Sequence, residues 1–371
     1  MNQDTLQAFG TGIQQLINRE NLTRNETARM FREVLLSRQP DLHQGAFLAA
    51  LAAKGETAGE LAGAWEAIDD LDTLHIKTAL PTPVVENSGT GMDAVKTFNV
   101  SSAAAIVAAA CGVTMARHGA RALTSRFGTV DILESVGLDV ECDVEIVGRS
   151  LQTEQIGLFN GMSPKVHPAA LGRILSQIRF GSTLNIAASL AHPARPRYAV
   201  RGVYNERLVE LTAQVMIEIG YTRGLVVYGR DDASGLGIDE LSITGATVLL
   251  DFNAGRKIRR SILRPEDVGL KTAARSEIAP TENLGAERRR FVEVLAGCGA
   301  AACIDFVCLN AAAVLYVAGQ TTDFREGIRM SRQAIEDGRA LRKLRNWVRA
   351  QNAVPAQGLT RLNEVLAEAG L

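Results

Sequence analysis

The chain has 371 residues, enough for two domains and a large core. Its apolar and charged fractions, 46% and 22%, are those of an ordinary globular protein, and a net charge of −1 gives no global pull toward nucleic acid or an anionic membrane. The five cysteines form no CxxC and no Cys/His ligand pair, which excludes a zinc-ribbon reading and fits a reduced, cytoplasmic setting.

The first residues, MNQDTLQAFGTG, lack a basic stretch followed by an apolar core, so no signal peptide is expected. Residues 1–75 read as helices. Leu16, Leu22, Ala28, Phe31, Val34 and Leu35 recur at helical spacing with Thr23 as a capping residue, and Thr57 caps a further helix bearing Leu61, Trp65 and Ile68. From Pro81 onward, strand and helix signals alternate. Val84–Glu86, Val113–Ala116, Gly224–Tyr228, Thr247–Phe252 and Ser242–Thr244 are the predicted strands. Predicted helices begin near Ser101, Thr129, His167, Glu206 and Glu287. The alternation argues for an α/β domain over 76–350 with a mixed, mostly parallel sheet. Residues 351–371 read as a helical tail, and the longest apolar stretch, Ala103–Cys111, is short for a membrane span.

The chemistry concentrates in 89–134. A glycine-bearing turn, Gly89, Thr90, Gly91, Met92 and Asp93, follows the first predicted strand, and Thr97, Asn99, Ser101 and Ser102 open the helix after it. Such a turn exposes backbone N–H groups toward the positive end of a helix dipole, which favours a phosphate or diphosphate. A second anion-friendly stretch follows at Arg117, His118, Gly119, Ala120, Arg121, Ser125, Arg126 and Gly128. Two anion sites bracketing one helix suggest a ligand with phosphates at both ends. Farther on, Asp239 and Glu240 in GIDELS follow the strand GLVVYG, and adjacent carboxylates on a turn suit an oxygen-seeking Mg²⁺. Asp231 and Asp232, just upstream, could add to or shift that set.

GTGMD, NVSS, RHGAR and FGTVDILE, in this order, resemble the ordered motifs of the anthranilate phosphoribosyltransferase family. LAAKGETAGELA at 51–62 and LNAAAVLYVAG at 309–319 are similar to the family's N-terminal and C-terminal helical motifs. The resemblance implies a small, discontinuous helical domain, with about 168–181 folding back onto 1–75. It implies a Mg²⁺-dependent pentosyltransferase, a cytoplasmic homodimer joined through the helical domain, with phosphoribosyl diphosphate as donor and a small aromatic or nitrogenous acceptor. Donor contacts would fall to Gly89, Thr90, Gly91, Asp93, Thr97, Asn99, Ser101, Ser102, Arg117, Ser125 and Gly128. Metal contacts would fall to Ser101, Asp239 and Glu240, and acceptor contacts to His118, Gly119, Ala120, Arg173 and Gln177. No residue is singled out as a catalytic acid or base.

The departures from the family pattern cluster on the acceptor side. Ala120 stands where the family has an amine-contacting asparagine, and Gln177 where an arginine pairs with the anthranilate carboxylate. A buried site that loses a charge-assisted bidentate bond gives up about 2 kcal/mol or more, so an acceptor other than anthranilate is expected. Two other readings are a nucleoside phosphorylase on the related fold and a non-catalytic nucleic-acid-binding relative. The second would draw on the arginine runs at 256–264, 288–290 and 339–349, against a near-neutral net charge.

Overall fold

The computed structural model describes residues 3–80, 83–91, 93–122, 126–178, 180–253, 255 and 258–371. The chain opens with helices α1 (Gln3–Ile17), α2 (Arg24–Leu35), α3 (Asp41–Lys54) and α4 (Ala58–Leu71). Alternating elements follow: β1 (Val84–Gly89), α5 (Val100–Ala110), β2 (Thr114–Gly119), α6 (Thr129–Ser135), α7 (Val144–Glu154) and β3 (Ile156–Asn160). Next come α8 (Leu171–Ile178), α9 (Thr183–Leu190), β4 (Tyr198–Gly202), α10 (Leu208–Glu218), β5 (Arg223–Arg230), β6 (Gly237–Ile238), β7 (Thr247–Asn253) and β8 (Arg259–Leu263). The helices α11 (Arg275–Ile278), α12 (Leu284–Leu295), α13 (Ala301–Ala318), α14 (Phe324–Glu336), α15 (Arg339–Ala350) and α16 (Pro355–Glu368) close it.

The chain divides into two compact units. The smaller comprises Met1–His75, Gly161–Arg195 and Gln214–Gly220, so the returning segment is wider than the expected 168–181. The larger comprises Ile76–Asn160, Pro196–Ala213 and Tyr221–Leu371, so 351–371 is part of this unit, not a separate tail.

In the helical unit the caps follow from sequence. Thr23 and Thr57 each accept the N–H three residues on, and Glu26 and Glu60 reach back to the cap N–H. Glu60 does more, because its fully buried carboxylate also accepts the Leu22 N–H at 2.9 Å and the Lys54 ammonium at 2.9 Å. Lys54, Thr57 and Glu60 of the 51–62 motif therefore tie the α1–α2 connection to α4. Helix α8 starts at Leu171, four residues later than expected, because Asp72 accepts the N–H groups of Ala169, Ala170 and Leu171 and so caps it from outside.

In the larger unit the strand order is β3-β2-β1-β4-β5-β7-β8, with β6 on β5, eight strands among the described residues. β1 to β5 pair in parallel, while β5, β7 and β8 are antiparallel neighbours. The chain runs outward from β1 through β2 to β3, then returns to the other side of β1 as β4. The switch point thus lies between β1 and β4, and the crevice outside their carboxyl ends is where such sheets bind ligands. Helices α5 and α13 are predominantly apolar and pack against each other in the core. α13 is long and apolar enough to cross a membrane, with mean hydropathy 1.9 over 18 residues, but 78% of it is buried within the protein. α13 reaches this length only with Asp305 and Asn310 inside it, so 103–111 remains the longest unbroken apolar run.

β3 is an edge strand, and its outer edge is closed by one side chain. The fully buried Gln351 donates from Nε2 to Leu158 O at 2.9 Å and accepts the Leu158 N–H at 2.9 Å through Oε1. Trp347 Nε1 donates to the same Oε1 at 2.9 Å.

Candidate active site

The loop after β1 reaches the hairpin that carries the acidic pair. Asp239 Oδ2 accepts the Gly91 N–H at 2.8 Å, and Gly91 holds φ +69, a left-handed conformation that glycine adopts without strain. A Cβ on Gly89 would lie 2.1 Å from Asp239 Oδ2, and one on Gly202 only 1.5 Å from Asp239 O. Those two glycines pair across β1 and β4. The two central strands thus end in glycine because Asp239 occupies the space a side chain would need.

Asp93, Asp239 and Glu240 converge, with one ligand oxygen from each lying within 4.8 Å of the others. Asp93 was expected to hold ribose and diphosphate, so its place as third carboxylate is new. Burial, followed by the neighbouring Asp93 charge, pushes Asp239 up to about 6. Burial and the two adjacent carboxylates hold Glu240 well above the usual range, with Arg117 opposing them. Burial also raises Asp93, against the pull of Lys96. Glu240 Oε2 is shielded from water and accepts no hydrogen bond. Three crowded oxygens and an acceptor left without a donor fit a hard divalent cation such as Mg²⁺, which bridges carboxylates to phosphate.

The acidic pair is held from behind by a residue that sequence reading missed. Asn310, buried in α13, donates to Leu241 O at 3.0 Å and accepts the Leu241 N–H at 3.1 Å. The signal was available, since an asparagine inside an apolar 18-residue helix must satisfy its amide somewhere. Asp231 and Asp232, by contrast, join no metal-ligating group among the described residues. Asp231 accepts the Ser234 N–H and O–H, and Asp232 pairs with Arg264 at 2.8 Å, so both build the hairpin tip.

Arg117, on β2, is 1% exposed and donates from Nη2 to Ser101 Oγ at 3.2 Å. Its Nε and Nη1 are buried with no acceptor. Burial lowers its guanidinium to about 10 against the favourable charges of Glu86 and Glu240, so it stays a cation at neutral pH. A buried cation with two donors left over has the chemistry to bind an anion. The other arginines of this stretch are spent on structure: Arg121 bonds Asp131 and Glu134, and Arg126 donates to Thr281 O. The second expected anion site therefore reduces to Arg117.

The remaining expected residues hold the loops in place. Asn99 Nδ2 donates to Phe127 O at 3.1 Å, Ser102 Oγ lies 3.5 Å from Thr129 Oγ1, and Thr97 Oγ1 donates to Phe98 O at 3.2 Å. Thr90 Oγ1 accepts the Tyr204 N–H at 3.3 Å, which ties the ends of β1 and β4. A Cβ on Gly128 would sit 2.5 Å from Ala122 N and 2.6 Å from Ala120 O, so the turn after His118 and Gly119 folds directly over it. Ser125, like Met92, lies outside the described residues. In the helical unit Arg173 is committed to its own neighbours, donating to Val34 O at 3.1 Å and Gln44 Oε1 at 3.4 Å, while Gln177 is exposed on α8.

The raised carboxylates set a pH dependence. An acid whose folded pKa exceeds its ordinary value stabilises the fold while protonated, and that stability is lost as pH rises through the folded value. The metal-free protein should therefore lose melting temperature as pH rises from about 4 through about 6, and Mg²⁺ should flatten that slope while binding more tightly at the higher pH. Parallel melts with chelator and with metal across this range check it. A chelator-independent slope would detach the titration from a metal site.

The a/b domain of a glycosyl transferase family matches residues 81–341, and that family's helical bundle domain matches 12–71. Anthranilate phosphoribosyltransferases from Chloroflexus aggregans and from an Anaeromyxobacter species are each 36% identical over 341 residues, 91% of this chain and 96% of each relative. A crystal structure of the enzyme from Thermus thermophilus superposes with TM-score 0.82 at 28% identity, covering 92% of this chain and 99% of that one. The Saccharomyces cerevisiae enzyme, solved in complex with PRPP and Mg, shares the fold at TM-score 0.81 and 24% identity, over 95% and 99% of the two chains. Fold and site define a glycosyltransferase built on a helical bundle and an α/β domain. The chain belongs to the anthranilate phosphoribosyltransferase family and is a phosphoribosyltransferase.

Proposed function

We propose that the protein transfers phosphoribose from phosphoribosyl diphosphate, with Mg²⁺, to a flat nitrogenous or aromatic acceptor other than anthranilate. The donor half of the reading rests on the junction of the Gly89–Gly91 turn, the three carboxylates and Arg117. In the reaction the bond from the anomeric carbon to diphosphate breaks as a bond to the acceptor forms, with oxocarbenium-like charge on the sugar. Asp93, Asp239 and Glu240 would hold the ion, which when bound offsets charge on the leaving diphosphate. Arg117 presents two N–H donors to the same charge without reorganising, because burial already fixes it. Asn99 and Gly128 keep the two flanking loops together, so the donor meets a preformed cradle.

The acceptor half rests on Ala120 and Gln177, which offer neither the amine contact nor the carboxylate partner expected for anthranilate. The names of the relatives argue the other way, and the experiment separates the two. With saturating donor and Mg²⁺, anthranilate turnover should fall below about 10⁴ M⁻¹s⁻¹ in kcat/KM. A value at or above that level would make anthranilate the acceptor here too. Against a nucleic-acid reading of the arginine runs, Arg260, Arg264, Arg288, Arg290 and Arg339 pair with carboxylates of the same unit.

A further inference from the structure

The carboxylate cluster already contains one cation of its own. Lys96 Nζ stands 2.7 Å from Asp93 Oδ1, three residues along the same loop. Neither side chain is loose, with 26% of Lys96 and 11% of Asp93 exposed. The backbone fixes the pair, because the Val95 N–H donates to Gly237 O at 3.1 Å and so binds this loop to the hairpin bearing Asp239. The Lys96 charge is also felt at Asp239. Any divalent ion held by Asp93, Asp239 and Glu240 therefore meets a fixed ammonium on one of its own ligands.

We infer that Lys96 is a built-in counter-ion of this cluster, a positioning residue that competes with the divalent metal for Asp93 and so limits how tightly the donor-free site binds it. The inference rests on the reading of the cluster as a Mg²⁺ site. The physical consequence is a division of labour. Without donor, Lys96 neutralises part of the negative cluster and keeps it compact. Once phosphate oxygens arrive with the metal, the ammonium has a second anionic partner and can leave Asp93 to the ion. Metal and donor then bind cooperatively, since each relieves a cost the other would meet alone. A lysine suits this role better than an arginine would, because its compact point charge on a flexible stem can shift between partners.

Calorimetric titration of Mn²⁺ onto the donor-free, full-length protein tests it. Two like charges within several ångströms in a partly solvated site are worth about a factor of ten in binding, so Lys96→Met should bind Mn²⁺ about tenfold more tightly than the wild type. Lys96→Arg, which keeps the charge, should stay within about twofold of the wild type. The same Lys96→Met protein should show less gain in Mn²⁺ affinity when phosphoribosyl diphosphate is added. Unchanged or weaker Mn²⁺ binding by Lys96→Met would overturn the inference, and loss of donor binding alone would make Lys96 a direct diphosphate contact. If neither protein binds Mn²⁺, or if Glu240→Gln leaves the titration unaltered, the metal reading itself fails and the inference with it.

Discussion

Replacing Glu240 by glutamine is expected to abolish metal-dependent binding of phosphoribosyl diphosphate and to lower kcat/KM by about 10² or more. The amide matches the carboxylate in shape, so packing against Leu241 and the hairpin is preserved. What disappears is one of three crowded negative charges, including the Oε2 atom that no donor satisfies. Because burial and the charges of Asp239 and Asp93 oppose ionisation of Glu240, the variant should melt at the same temperature as the wild type or higher without metal, most clearly at alkaline pH. Loss of function with retained or raised stability is the signature of a residue kept for its ligand. Calorimetry with and without chelator, beside thermal melts, reads both quantities. An intact metal dependence in Glu240→Gln would place the ion elsewhere.

Gly202→Ala should cost about 3 kcal/mol or more in stability. Its Cβ would fall 1.5 Å from the carbonyl oxygen of Asp239 and 2.4 Å from the carbonyl carbon, and neither backbone can yield easily. Gly202 sits in a central strand, paired with Gly89 on one side and Val227 on the other. Gly89→Ala makes an instructive contrast. Its Cβ would strike the Asp239 carboxylate, at 2.1 Å from Oδ2 and 2.4 Å from Cγ, and a side chain can turn away. That variant should therefore fold far better than Gly202→Ala while losing metal affinity, because the displaced carboxylate also gives up the Gly91 N–H. Chemical denaturation and metal titration of the two variants side by side check the ordering. Equal stability of both with the wild type would show that Asp239 is held less firmly than its contacts imply.

The helical caps, the central strands β1, β2, β5 and β7, and the Asp239–Glu240 pair were all legible in the sequence, because each has a local chemical signature. Two of the missed strands share a reason, which is charge within the run. β4 reads YAVRG, and the buried Arg201 in its fourth position breaks the apolar run; it survives there by pairing with the buried Glu86 at 2.9 Å. β8 reads RRSIL and is an exposed edge, so in sequence it stands only as part of the arginine run 256–264. Ser242–Thr244 shows the opposite error. Its β-branched residues suggested a strand, but Ser242 Oγ donates to Arg230 O and accepts the Thr244 N–H, closing a turn that competes with any ladder. Arg117 and Arg121 look alike in sequence. Only packing separates them, giving Arg121 two carboxylates and leaving Arg117 with idle donors.

Gln351 ties the order of synthesis to solubility. The strands β1 to β3 leave the ribosome long before Gln351 is made, so a nascent chain carries the outer N–H and C=O of Leu158 uncovered, at the edge of a sheet whose other residues are already available to pair. Until the C-terminal helices dock, that edge can recruit a strand from another nascent copy. The residue that caps α15 therefore acts as a terminator for the sheet, and a chain in which α15 has not yet docked leaves that edge open.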